Sequence, residues 1–286
     1  MVLSDAQISQ FAQQGYVLVE DAISPQQVQL LRHDFQQWVE QSRGHREPFG
    51  EIMDGRARFD MAPSHSADQP ALRRVSSPQE LSAPYLAVMR DNRALDGLSQ
   101  LYGPNLKFNN AKINSKLPGS NTEVKYHQDF AFEPHSNDNL ATVLIFLDDV
   151  SMENGPLEVV PGSHLGPLHE HWHNGVFTGA VADGISAKVA PTAVFCTGRA
   201  GSACIMHTRL LHGSTANNSN APRTIYIVEY AAEDAVPLII NHIPSAQEGE
   251  VVRGEYTGRM RANTFNLATP EYPNDVSFFS QQAEHK

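Results

Sequence analysis

The segment Tyr126-His127-Gln128-Asp129 sets an imidazole and a carboxylate two residues apart. In an extended strand, residues i and i+2 point to the same face, so both side chains can converge on one ion. His212, in Leu211-His212-Gly213-Ser214 just beyond the apolar run Ser202–Met206, is the candidate third donor. Two imidazoles and one carboxylate on one face of an octahedron leave three positions open. That suits iron(II), which must take a chelating cosubstrate and then O2. Arg223 follows eleven residues after His212, at the head of the β-like run Thr224–Tyr230. A guanidinium there can fork two hydrogen bonds onto one end of a dicarboxylate. Ser214 can add a hydroxyl donor to the same carboxylate. An H-x-D pair carries little weight alone in a chain with 13 histidines. The triad, the arginine and the hydroxyl together describe a chelate site for 2-oxoglutarate.

Other polar residues have plainer readings. His164 belongs to a Pro-Gly-Ser-His turn and is expected to bond locally. His207 lies five residues before His212 and falls on the opposite face of a regular strand. His169, His171 and His173 form His-Glu-His-Trp-His, which lacks the H-E-x-x-H spacing of metalloproteases and reads as a solvated lid. A zinc hydrolase built on that segment is the rival metal reading. Arg209 stays open between a surface ion pair and a contact to an anionic substrate. Lys125 and Arg56 read as surface charges.

The elements that must position these residues are partly legible. Ser4 with Gln7, and Ser24-Pro25 with Gln27, are capping boxes that start helices. The first should end at Gly15, and Tyr16–Val19 should follow as a strand. Val28, Leu31, Phe35, Trp38 and Val39 give the second helix one apolar face. Residues 43–80 are polar and rich in turn formers, so a long surface excursion is expected there. Leu95–Leu101 reads as helix. From about Leu106, short β runs alternate with Gly, Pro, Asn and Asp: Thr142–Leu147, Leu157–Val160, Ser202–Met206 and Thr224–Tyr230. This spacing predicts a mainly β jelly roll with flanking α-helices. One domain over 1–286 is expected: helical packing over about 1–105, a core over about 106–232 and an extension over about 233–286. The polar tail after about residue 240 can fold over the site's mouth or join a subunit interface.

The HQD segment, Asn154-Gly155-Pro156-Leu157-Glu158-Val159-Val160-Pro161-Gly162-Ser163-His164, and the stretch His207–Arg223 (HTRLLHGSTANNSNAPR) carry a family resemblance. Together with the N-terminal pattern of helix, Gly-Tyr, strand and second capped helix, they resemble the phytanoyl-CoA dioxygenase family from about residue 5 to 232. The resemblance implies a cupin-like double-stranded β-helix. It implies decarboxylation of 2-oxoglutarate to succinate, coupled to hydroxylation or related C–H oxidation. It matches His127, Asp129 and His212 to iron ligands, Arg223 and Ser214 to the 2-oxoglutarate site, and Lys112, four before Lys116 of Lys116-Leu117-Pro118-Gly119, to a cosubstrate contact. Halogenating relatives carry a small residue where Asp129 stands, so Asp129 implies hydroxylation, desaturation or ring formation. Val143-Leu144-Ile145-Phe146 departs from the family, many members of which carry Trp there.

The bulk numbers set limits. A net charge of 21 − 32 = −11 over 286 residues argues against nucleic acid or an anionic membrane surface as partner. There is no signal-peptide pattern and no apolar run of membrane-spanning length. Cys196 and Cys204 read as reduced buried thiols in a cytoplasmic protein. The expected partner is a small-molecule substrate, a natural-product intermediate being preferred because no basic groove for a CoA nucleotide is evident. A small phosphonate, an amino-acid-like solute, or a non-catalytic binding module are the alternatives. Monomer and homo-oligomer are left undecided.

Overall fold

The computed structural model describes residues 1–118, 122–271 and 277–283; Gly119 lies outside them. Helix α1 (Asp5–Gln14) starts on the Ser4–Gln7 capping box and stops at Gly15, whose φ of 83° favours glycine. Strand β1 (Tyr16–Val19) follows, then α2 (Pro25–Ser42) on the Ser24–Gln27 box. Both starts were legible because a cap is local: a side chain meets a backbone N–H three residues on.

Residues 43–80 depart from expectation. They hold β2 (Phe49–Met53), β3 (Arg56–Met61) and β4 (Leu72–Ser76), which extend the main sheet instead of wandering over the surface. Several of the charges that disguised them are buried, and two of these arginines are paired. Arg73 Nε meets Asp60 at 2.9 Å and Arg58 meets Glu80 at 2.8 Å. The apolar partners Phe59, Met61, Leu72 and Val75 go into the core. Helices α3 (Ala83–Arg90) and α4 (Arg93–Tyr102) complete the N-terminal packing.

The core then runs through β5 (Leu106–Lys116), β6 (Val124–His127), β7 (Leu140–Phe146) and β8 (Leu157–Val159). A small hairpin of β9 (Trp172–His173) and β10 (Val176–Phe177) precedes α5 (Asp183–Val189). Next come β11 (Val194–Cys196), β12 (Ala203–His207), β13 (His212–Ser214) and β14 (Arg223–Ala232). In the tail, β15 (Val251–Arg253) pairs with β5, and α6 is a short helix at Phe278–Ala283.

Among the described residues the large sheet has the order β1-β12-β7-β14-β5-β4-β3-β2, antiparallel throughout, and the small one β11-β8-β13-β6. Period-2 alternation divides the large sheet's side chains between two faces. Val143, Ile145, Ile205, Tyr226, Val228 and Tyr230 pack beneath the helices against Leu31, Phe35, Tyr85 and Leu98. Leu144, Met206, Ile225 and Ile227 look the other way, onto Leu157 and Val159 of the small sheet. Two facing antiparallel sheets with helices on one outer face make the jelly roll. Cys196 and Cys204 are buried and free, with sulfurs 3.9 Å apart.

Candidate metal centre and cosubstrate pocket

His127 is the last residue of β6, and Asp129 opens a 3-10 turn rather than continuing the strand. Gln128 between them is extended (φ −123°, ψ 122°), so the two side chains still share a side. Strand β13 runs beside β6 with His212 opposite His127, which brings in the distant histidine. One oxygen of Asp129, Oδ1, lies 3.4 Å from His127 Nε2 and 3.5 Å from His212 Nε2. All three groups are buried. Among the described residues they form the one cluster of three such donors able to meet around an ion.

The remaining atoms of each group are pinned. His127 Nδ1 lies 2.8 Å from the Lys125 carbonyl and His212 Nδ1 lies 2.9 Å from the Leu210 carbonyl. A ring that donates from Nδ1 presents its Nε2 lone pair inward. Thr142 Oγ1 donates to Asp129 Oδ2 at 2.6 Å and leaves Oδ1 facing the imidazoles. Burial pushes the Asp129 carboxyl up, but His212 and His127 outweigh it and hold it well below the usual range. The donor set therefore fits iron(II): two imidazole nitrogens and one carboxylate oxygen, already aimed at one another.

Beside the triad opens a cavity of about 830 Å³, lined among others by Lys112, Lys116, Ser214 and Arg223. Arg223 is buried, and its Nε donates to the Gly155 carbonyl at 2.8 Å. Among the described residues its two terminal nitrogens have no protein acceptor, so they are available to a carboxylate. Lys116 stands opposite Arg223 in register and donates to Ser214 Oγ at 2.7 Å and to the Thr215 carbonyl. Burial, with Arg223 as neighbour, pulls the Lys116 ammonium down to about 6. Lys112 lies on the same face of β5 but pairs with Glu229 at 3.3 Å. The guanidinium, hydroxyl and Lys116 thus converge, while Lys112 meets Glu229, one of two carboxylates that also line the cavity. There Glu133 accepts from Asn110 at 2.6 Å and from Asn109, and burial beside Glu229 raises its carboxyl well above the ordinary range.

Several plainer readings are corrected or settled. The His-Glu-His-Trp-His segment is not a solvated lid: His171 is buried, and its Nε2 accepts from the Gln128 N–H at 3.0 Å while Nδ1 faces the His169 carbonyl at 2.9 Å. His173 Nε2 lies 2.9 Å from the Ala180 carbonyl. Both of His171's nitrogens are thus engaged by backbone, which argues against a zinc ligand there. Arg209 takes the ion-pair role, with Asp138 at 2.7 Å. His207 packs against Phe11 and Tyr102, away from the triad. Arg56 and Lys125 are half-buried rather than surface charges.

Sequence reasoning missed Thr142, Lys116, Arg74, Glu133 and His242 as site residues. Alternation along β5 from Lys112 through Asn114 to Lys116 would have flagged Lys116. Arg74 and His242 lay in segments read as polar excursion and tail. Phe278 of α6 also belongs here, its ring centroid 5.6 Å from that of His127. His242, Phe278 and Phe279 of the tail thus line the cavity.

The family described as phytanoyl-CoA dioxygenase matches residues 11–225. The chain belongs to the phytanoyl-CoA dioxygenase family. Within that family's wider relatives, it is 31% identical over 284 residues to a probable alpha-ketoglutarate-dependent hypophosphite dioxygenase of Stutzerimonas stutzeri, covering 96% of each chain. It is 26% identical over 271 residues to an ectoine dioxygenase of Halomonas elongata, covering 85% of this chain and 77% of that one. The carbocyclase SnoK from nogalamycin biosynthesis, at 23% identity, superposes with a TM-score of 0.64 over 89% of this chain and 95% of its own, a likeness of fold. The apo form of EctD from S. alaskensis gives the same TM-score at 21% identity, over 88% and 87%. Family and site together make this family member an iron(II)- and 2-oxoglutarate-dependent dioxygenase with a cupin-like jelly roll. No helix among the described residues is long and apolar enough to cross a membrane.

Proposed function

We propose that this family member couples oxidative decarboxylation of 2-oxoglutarate to hydroxylation of a small molecule, with 1–286 acting as one oxygenase domain. The observation that supports this most is the meeting of His127, Asp129 and His212 around one point beside an arginine with free donors. His127 and His212 would hold iron(II) through Nε2, and Asp129 through Oδ1. The bound ion supplies O2 activation for C–H oxidation. The chain's own residues do the rest. Arg223 grips the distal carboxylate of 2-oxoglutarate by charge-assisted hydrogen bonds. Ser214 and Lys116 hold the same end, and Lys116 gains its full charge when the carboxylate arrives. Thr142 fixes which Asp129 oxygen faces inward. Phe132 and Phe278 screen the centre from water: both rings lie 5.7 Å or less from the ring of His127.

The substrate is proposed to be a free small molecule and the enzyme a cytoplasmic one, as the hypophosphite and ectoine dioxygenases it resembles act on small compounds by name. The test is succinate formation from 2-oxoglutarate with iron(II) under air, across a panel of small substrates. Wild type should form succinate. Arg223→Gln should raise the KM for 2-oxoglutarate roughly 30-fold or more, since a buried charged hydrogen bond is worth about 2 kcal/mol or more. Oxygen-independent ligand binding with no succinate from any substrate would instead indicate a binding module.

A further inference from the structure

One arginine in the cavity is left without a role by the metal and the cosubstrate. Arg74 lies on β4, opposite Asn114 of β5 and Asp60 of β3, and is only 7% exposed. Among the described residues, no hydrogen bond or ion pair reaches its guanidinium. The carboxylates around it are committed elsewhere. Asp60 is held by Arg73 at 2.9 and 3.3 Å, Glu229 by Lys112 at 3.3 Å, and Glu133 by Asn110 at 2.6 Å. Asp60, Glu133 and Glu229 act on it through space without a hydrogen bond, and the ring of Phe278 lies beside it, with Cζ 5.8 Å from the centroid. Burial, with Arg56 nearby, lowers it to about 10, so it stays protonated at neutral pH.

A largely buried cation whose hydrogen-bond donors meet no protein acceptor among the described residues costs free energy that nearby carboxylates committed elsewhere offset only in part. Such a group is kept for a ligand. Its place says which one. Arg74 lines the triad's cavity and also a second space of about 980 Å³ walled by the β2–β3 hairpin, and His242 and Phe278 line both as well. Arg74 therefore stands where a molecule arriving past the hairpin would meet the active cavity. Arg223, Ser214 and Lys116 already serve the cosubstrate, and Arg74 sits on a different strand, with β5 between it and Arg223.

We propose that Arg74 anchors the primary substrate by its anionic head, and that the substrate is a compact oxyanion: a carboxylate, phosphinate or phosphonate whose oxidisable atom is held toward the triad. The guanidinium fork matches two oxygens of such a group. This rests on the oxygenase reading above.

The test uses the full chain loaded with nickel(II) and 2-oxoglutarate, which fills the cosubstrate site and prevents turnover. Hypophosphite, methylphosphonate, L-proline and the uncharged L-prolinamide are titrated calorimetrically into wild type, Arg74→Gln and Arg74→Lys. At least one oxyanion should bind wild type saturably, weaken tenfold or more in Arg74→Gln, and recover in part in Arg74→Lys. The affinity for 2-oxoglutarate should change less than twofold in both variants. The thermal midpoint of ligand-free Arg74→Gln should be unchanged or higher, because an unpaired buried charge has been removed. Which oxyanion binds separates carboxylate from phosphorus acid. The proposal is overturned if no oxyanion binds wild type, if all bind Arg74→Gln equally well, if L-prolinamide binds as tightly as L-proline, or if Arg74→Gln loses 2-oxoglutarate or melts lower. Failure of wild type to bind 2-oxoglutarate with nickel(II) would strike the oxygenase reading itself and carry this proposal down with it.

Discussion

At the scale of single residues, the site is a matter of second atoms. Each metal-facing atom of His127, Asp129 and His212 is fixed because the other end of its group is occupied by Lys125, Thr142 or Leu210. The triad itself was legible in the sequence, since residue type and an i, i+2 spacing suffice to suggest it. The groups that aim it were not. A threonine on β7 has no local mark of serving an aspartate thirteen residues before it. Removing that hydroxyl should therefore matter without touching a ligand. Thr142→Val is expected to weaken iron(II) binding about 10- to 100-fold, read by anaerobic metal titration. Its thermal midpoint should change little, because valine keeps the volume of the buried side chain.

At the scale of elements, the division between what could and could not be foreseen follows range of interaction. The starts of helices α1 and α2 were readable to the residue because their caps are contacts within four residues. Strands β2, β3 and β4 were not, because charged residues such as Arg58 and Arg73 find their partners only once the chain has folded. Arg58, Asp60, Arg73 and Arg74 look like loop polarity in one dimension and become buried sheet residues in three. The same holds for His171, whose burial against the Gln128 N–H could not be seen in a run of alternating histidines. If β4 is a structural strand, its apolar positions must carry packing energy. Leu72, fully buried, should cost about 2–5 kcal/mol as Leu72→Ala. Equilibrium urea unfolding would show this, and a loss below about 0.5 kcal/mol would favour the surface excursion.

At the scale of the whole molecule, the jelly roll is a device for placing polar groups in a dry interior, and acid stability records the cost. His171 and His135 are buried neutral, with burial the main cause, at about 3 and about 4. Burial lowers His207 in the same direction. The unfolded chain takes up protons on these rings near pH 6.5, while the folded chain resists until far lower. Their neutral form therefore supports the fold above pH 6.5, and that support is lost as pH falls from about 6.5 toward 4 and 3. Each such ring contributes a slope of roughly 1.4 kcal/mol per pH unit in that window. The thermal midpoint should fall clearly between pH 7.5 and 5, and His207→Gln should flatten the slope. A midpoint that does not move over that range would contradict the burial described.

The central claim is that three side chains from β6, the turn after it and β13 bind one ferrous ion, beside an arginine that holds 2-oxoglutarate. Anaerobic addition of iron(II) and 2-oxoglutarate to the metal-free protein tests it most directly. Wild type should develop a weak visible charge-transfer band that saturates at one iron per chain and is absent from His127→Ala. His171→Ala should keep a band, with weaker affinity. No band in wild type, or a band that survives His127→Ala and vanishes in His171→Ala, would contradict it.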